Sequence, residues 1–206
     1  MSPTIKLHRG DLPADVTFTG SVAIDTETLG LNPHRDRLCV VQLSAGDNTA
    51  HLVQLGRDDY AGATRLKALL TDPSVLKIFH FARFDVAVLS KYLGVDVAPI
   101  YCTKIASKLV RTYTDRHGLK DLVSELAEVD LDKQQQSSDW ARETLSDKQK
   151  FYAASDVLHL HAVKAKLDAM LDRDGRRTHA EAAFKFLPTR AALDLAGFGE
   201  DDLFAH

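Results

Sequence analysis

Cysteine is scarce in this chain. Cys39 and Cys102 are the only two in 206 residues, and they lie far apart with no CxxC or Cys/His spacing. That excludes a disulfide-stapled scaffold and a cysteine-ligated zinc site, and it suits reduced core thiols in a cytoplasmic protein. Positive charge is not in excess either: 26 Lys and Arg face 29 Asp and Glu, for a net charge of −3. Coating of nucleic acid by charge alone is therefore disfavoured, although a small nucleic-acid substrate held at a metal site is not. No apolar run approaches the roughly 20 residues of a membrane span. The opening MSPTIKLHRGDLP has no apolar leader core. Repeats, low-complexity tracts and an evident linker are also missing, so one domain is expected over residues 1–206.

What remains is an ordinary globular composition, 45% hydrophobic and 27% charged. Strands are expected at 21–25, 38–43, 51–55 and 75–79, with Gly46-Asp-Asn-Thr49 as a hairpin loop between the second and third. Helices are expected at 62–71, at 82–93 ending at Gly94, and near 103–111 and 118–128. Ser146-Asp-Lys-Gln149 is a capping box that should open a helix running to about Asp172. Strands first and helices later suggest a mixed sheet flanked by helices.

Several carboxylates fall where apolar residues belong. In SVAIDTETLG, residues 21–30, Asp25 and Glu27 are two apart on a strand and share one face. On the helix after Ser146, Tyr152 and Asp156 share a stripe with Leu160, Val163, Leu167 and Met170. On helix 82–93, Asp85 shares one with Phe81, Val88, Leu89 and Tyr92. One inward acid is ordinarily a cap or half of an ion pair. Four on three core elements repel one another unless cations intervene. Oxygen ligands of this kind suit Mg²⁺ or Mn²⁺ rather than zinc, and four negative charges balance two divalent ions, the arrangement that clamps an in-line phosphoryl displacement.

The order Asp-x-Glu, then Asp in a helix after a strand, then Tyr-x-x-x-Asp resembles the tyrosine subclass of the DEDD 3′–5′ exonucleases. The run from Ser138-Asp-Trp-Ala-Arg142 through Leu145-Ser-Asp-Lys-Gln149 to Tyr152-Ala-Ala-Ser-Asp-Val157 is similar to the third exonuclease motif of ribonuclease D. The segments DTETLGLNPHRDRLCVVQLS, KIFHFARFD and CTKIASKLVRTYTDRHGLK resemble the compact nanoRNase C type of alphaproteobacteria. Resemblance covers about residues 18–172. The residues after 172 are expected to lack the C-terminal domains of full-length ribonuclease D and to form a docking or oligomerisation tail. Phe81 after His80 and Thr144 depart from the wider ribonuclease D pattern, which commonly has Asn and Pro there.

The resemblance implies a ribonuclease H-like fold, a five-stranded mixed sheet between helices. It implies hydrolysis of short RNA, with DNA or longer RNA open as alternatives, using two Mg²⁺ or Mn²⁺ ions, in a ring-like homo-octamer without membrane attachment. A non-catalytic nucleic-acid-binding scaffold is disfavoured, because all four acids and the tyrosine are present. Asp25 would bridge both metals, Glu27 and Asp156 would complete one site, and Asp85 would hold the other, largely through water. Tyr152 would orient or deprotonate the attacking water. Thr28, Leu29, Gly30 and Leu31 would meet the 3′-terminal nucleotide, with Leu31 either wedged against bases or buried on its own sheet. His80, at the end of a strand beside the site, is a further candidate substrate contact, with packing expected ahead of metal ligation.

Lys104, Lys108 and Arg111 share a helical face, with Arg116, His117 and Lys120 close behind. They make a basic strip facing phosphate, another subunit or solvent; Lys108, Arg116 and His117 are candidate substrate contacts. Trp140 is expected to anchor the loop before it. Phe184, Phe186, Phe198 and Phe204 mark a tail that should dock on its own domain or on a neighbour.

Overall fold

The computed structural model describes residues 2–131, 138–200, 203 and 205. Six strands form one mixed sheet: β1 (Thr4–Arg9), β2 (Ser21–Thr28), β3 (Leu38–Ser44), β4 (Thr49–Gln54), β5 (Leu76–Phe79) and β6 (Ile100–Cys102). Their spatial order is β1-β4-β3-β2-β5-β6. The β2–β3–β4 meander is antiparallel, while β1 on β4, β5 on β2 and β6 on β5 run parallel. The expected five-stranded sheet thus gains a member. Strands β1 and β6 are the two that the hydrophobic pattern does not announce, one being a polar edge strand and the other three residues long.

Helices α1 (Thr64–Thr71), α2 (Ala82–Leu93), α3 (Thr103–Val110), α4 (Leu119–Ala127), α5 (Asp147–Leu158), α6 (Leu160–Arg173) and α7 (Arg177–Leu195) surround the sheet. Every residue of β3 is buried, as a central strand covered on both faces must be. Ser146 caps α5 through the Gln149 N–H, and the Gln149 side chain returns the bond to the Ser146 N–H at 3.0 Å. Gln149 also donates to Ser138 Oγ at 2.6 Å and to the Asp139 carbonyl, so the cap fastens the preceding loop as well.

Several expectations are corrected. The long helix from Ser146 divides at His159, whose N–H turns to the Val157 carbonyl, and α6 starts afresh with Leu160, Val163 and Leu167 buried. Phe81 does not join the inward stripe of α2: it precedes the helix in a left-handed conformation (φ 63°) and is exposed. Arg111 leaves the basic strip altogether. It is fully buried, paired with Glu125 and donating to Ser107 Oγ at 3.0 Å and the Arg116 carbonyl at 2.6 Å. The tail docks on its own domain, where α7 packs against α2 and β6 with Phe184 buried on Tyr101. Phe186 and Phe198 are exposed, and Phe204 lies outside the described residues.

A second buried cation secures the sheet behind the site. Lys77 on β5 has no exposed surface, and its ammonium donates to the Ala98 carbonyl at 2.7 Å and to that of Asp72. Burial pushes its pKa down to about 8. Cys39 and Cys102 are free and buried, and Trp140 is buried where the loop meets the sheet.

Candidate active site

Strand alternation sends Asp25 and Glu27 to the face covered by α5, where Asp156 meets them. One carboxylate oxygen from each of the three can be chosen so that all lie within 4.8 Å of one another. Thr26, between the two acids, points to the other face and donates to Asp85 Oδ1 on α2 at 2.7 Å. Asp85 is therefore held slightly apart from the other three while lining the same cleft. Tyr152, one turn before Asp156, stands in the cleft wall with its ring 6.1 Å from that of Trp140.

Two functional side chains were not singled out from sequence. One is Thr26, which seats Asp85. The other is Gln42, directly across from Asp25 in the antiparallel register. Its amide donates to Asp25 Oδ2 at 3.3 Å and Glu27 Oε1 at 3.4 Å. The available signal was a glutamine inside the apolar run LCVVQLS. A neutral amide orients carboxylates without cancelling their charge.

The acids are crowded and uncompensated. Burial lifts the Asp25 pKa to about 7. Burial first, and then the neighbouring carboxylates, raises Glu27, Asp85 and Asp156 well above the usual range. No Lys or Arg pairs with any of the four among the described residues. An all-oxygen donor set with excess negative charge fits a hard divalent cation such as Mg²⁺.

That chemistry sets a pH dependence. Groups whose folded pKa is raised contribute stability that is fully present below their unfolded pKa and lost as pH rises through the folded value. In chelator, the wild type should therefore lose thermal stability relative to Asp25→Asn between about pH 4 and 7, and Mg²⁺ should close the gap. Parallel melting curves for the two proteins across that range would sink this electrostatic account.

The whole cleft is about 650 Å³ in volume, and beyond the acids and Tyr152 it is lined by Thr28, Leu29, Gly30, Leu31, His80, Phe81, Lys104 and Lys120 among others. Thr28 donates to the Gly30 carbonyl across a bulge that starts at Glu27. Gly30 is required by packing: a Cβ there would meet Asp36 Oδ2 at 2.3 Å. Leu31 is 86% exposed, so it is not buried on its own sheet. His80 Nδ1 pairs with Thr103 Oγ1 at 2.9 Å, and burial lowers its pKa to about 3, leaving a neutral ring at the cleft wall.

Lys108, Arg116 and His117 are not brought to the cleft lining. Lys108 is on the exposed side of α3, Arg116 closes on Asp121 at 2.6 Å, and His117 Nδ1 bonds with Ser107 Oγ at 2.8 Å. The basic residues that do line the cleft are Lys104, with its ammonium 4.1 Å from the Phe81 ring centre, and Lys120.

Carboxylates from a central strand and two flanking helices, gathered at the end of a ribonuclease H-like sheet with a tyrosine one turn from the last, define a metal-dependent exonuclease site. Residues 11–172 match the family model described as 3′–5′ exonuclease, and the chain belongs to that family, in its ribonuclease D-like branch. It is 35% identical over 178 residues to "Ribonuclease D" of Granulibacter bethesdensis, an alignment covering 85% of this chain and 44% of that protein. The chain thus spans less than half the length of such relatives. Brucella melitensis NrnC bound to pGG is 60% identical, with a TM-score of 0.96 and 100% of both chains covered. Brucella melitensis NrnC with bound Mg²⁺ is 59% identical, with a TM-score of 0.94 over 98% of this chain and 99% of that one. No helix among the described residues is long and apolar enough to cross a membrane.

Proposed function

We propose that the protein is a 3′–5′ exoribonuclease that hydrolyses very short RNA, dinucleotides included, to nucleoside 5′-monophosphates. The observation that carries this reading is the triad of Asp25, Glu27 and Asp156, with one oxygen from each within 4.8 Å of the others and no Lys or Arg paired with them among the described residues. Those three would hold one Mg²⁺ or Mn²⁺, and Asp25 with Asp85 a second. Bound there, the ions would supply Lewis-acid stabilisation of the attacking and leaving oxygens. The chain's own part is to fix the carboxylates through Gln42 and Thr26, to orient water through Tyr152, and to shape the cleft. Exposed Leu31 would wedge against the terminal bases, an apolar contact that any base accepts.

Short substrates are favoured by three features. The cleft is compact, the net charge of −3 gives little hold on a long backbone, and a relative alike along its whole length has been seen with pGG. End-labelled RNAs from two nucleotides upward, assayed beside single- and double-stranded DNA, test this. Dinucleotides should be turned over best, with activity lost to chelator and restored by Mg²⁺ or Mn²⁺. A 20-mer preferred over a dimer at equal concentration would overturn the length assignment.

A DNA-directed reading draws on the 33% identity over 169 residues to "DNA polymerase I" of Aquifex aeolicus, and the same assay decides it.

We also infer a closed homo-oligomer, a ring-like octamer by resemblance. Exposed Phe151, Phe186 and Phe198 are apolar surface that identical contacts could cover. Light scattering showing a fully active monomer at micromolar concentration would exclude it.

A further inference from the structure

A cavity of about 340 Å³ is lined in part by Trp140, whose ring centre is 6.1 Å from that of Tyr152. Three arginines line it: Arg9 at the end of β1, Arg37 before β3 and Arg142 in the loop before α5. Arg9 donates to the Glu143 carbonyl at 2.8 Å, and Arg37 uses one nitrogen on the Leu38 and Leu55 carbonyls. Arg142 is exposed and makes no side-chain hydrogen bond or ion pair among the described residues. Glu143 and Asp59 share the lining, but the Asp59 carboxylate is engaged by the Gly56 N–H at 2.7 Å. Trp140 and Gln54 complete the wall, both less than one-tenth exposed.

Guanidinium forks are the groups best shaped to bind phosphate. The volume is within the range of about 300–1,000 Å³ that small organic ligands use, and is larger than a lone inorganic anion needs. We propose that this cavity is a second nucleotide site, which takes a nucleoside monophosphate with its phosphate on Arg9, Arg37 and Arg142 and its base toward Gln54 and Trp140.

The ligand is of the same class as the product of the proposed hydrolysis. Trp140 touches both the cavity and Tyr152, and its loop is tied to β1 and β4 by the Arg9 bond and by Gln54 Nε2 on the Arg142 carbonyl at 2.7 Å. Occupancy would thus be felt at the catalytic tyrosine. That coupling rests on the exonuclease reading; binding itself does not.

Trp140 is the chain's one tryptophan, so its fluorescence reports this cavity. In chelator, AMP or GMP titrated into the full chain should give a saturable change, whereas adenosine should give none and inorganic phosphate only a much weaker one. Arg142→Ala should weaken AMP binding by roughly 10- to 100-fold, the usual worth of a charged hydrogen-bonding partner. Asp156→Asn should leave the titration unchanged.

No saturable response to millimolar AMP, or one indifferent to Arg142→Ala, would overturn the site. Loss of the response in Asp156→Asn would place the ligand in the catalytic cleft and overturn it too. Inorganic phosphate saturating as tightly as AMP would overturn the nucleotide assignment. In turnover assays, AMP should show a non-competitive component of inhibition that Arg142→Ala removes while uninhibited turnover is kept. Its absence from the wild type would refute the coupling, and an inactive wild type that still binds AMP would count against the exonuclease reading alone.

Discussion

Replacing Asp156 by Asn should lower kcat by at least about 10³ and still yield a folded protein. A metal ligand contributes several kcal/mol of transition-state stabilisation, and each 1.36 kcal/mol is a factor of ten in rate. The amide has the carboxylate's shape but contributes no charge to the cation site. Asp25→Asn should behave alike, because Asp25 sits between Glu27, Asp85 and Asp156 in the electrostatics of the cluster. Both variants should also melt higher than the wild type in chelator at pH 8, since each removes one of several crowded negative charges. Circular dichroism melts and a dinucleotide assay on the same preparations check both halves. Robust cleavage by either variant would end the two-metal reading.

Tyr152→Phe should cost about 10²–10⁴ in kcat, the usual worth of a positioned proton-handling group. Calorimetry should find metal affinity little changed, because the ring's packing against Trp140 survives and only the hydroxyl is lost. In the metal-free protein, burial and then Asp156, Glu27 and Asp25 push the Tyr152 pKa above its ordinary value, so the phenol is held protonated beside Asp156. Metal binding lost with the hydroxyl would make Tyr152 structural to the site. A kcat within a few-fold of wild type would take it out of the chemistry.

The carboxylates were legible in the sequence because each breaks a pattern that is otherwise apolar, two acids ending a buried strand and single acids on helix stripes; the tyrosine was legible only through the resemblance of Tyr-x-x-x-Asp to an exonuclease motif. The capping box at Ser146 and the stop at Gly94 were legible because they depend on neighbours in the chain. What sequence could not supply depends on register or on distant partners. Gln42 and Thr26 acquire roles only once β2 is aligned with β3 and α2 packs behind it. Arg111 looks like a surface cation until Glu125, fourteen positions on, closes over it. The break at His159 carries neither Gly nor Pro, and the short β6 gains its meaning from β5 alongside.

The division of labour along β2 bears on which length changes the gene could tolerate. Asp25 and Glu27 serve one face and Thr26 the other, so a residue gained or lost upstream within the strand would reverse all three at once. The acids would then turn toward α2 and the threonine toward α5, with no point substitution able to restore the set. Insertions and deletions should therefore be purged from residues 21–28 more severely than from the hairpin loop at 45–48, where added length leaves the two faces of β2 as they are.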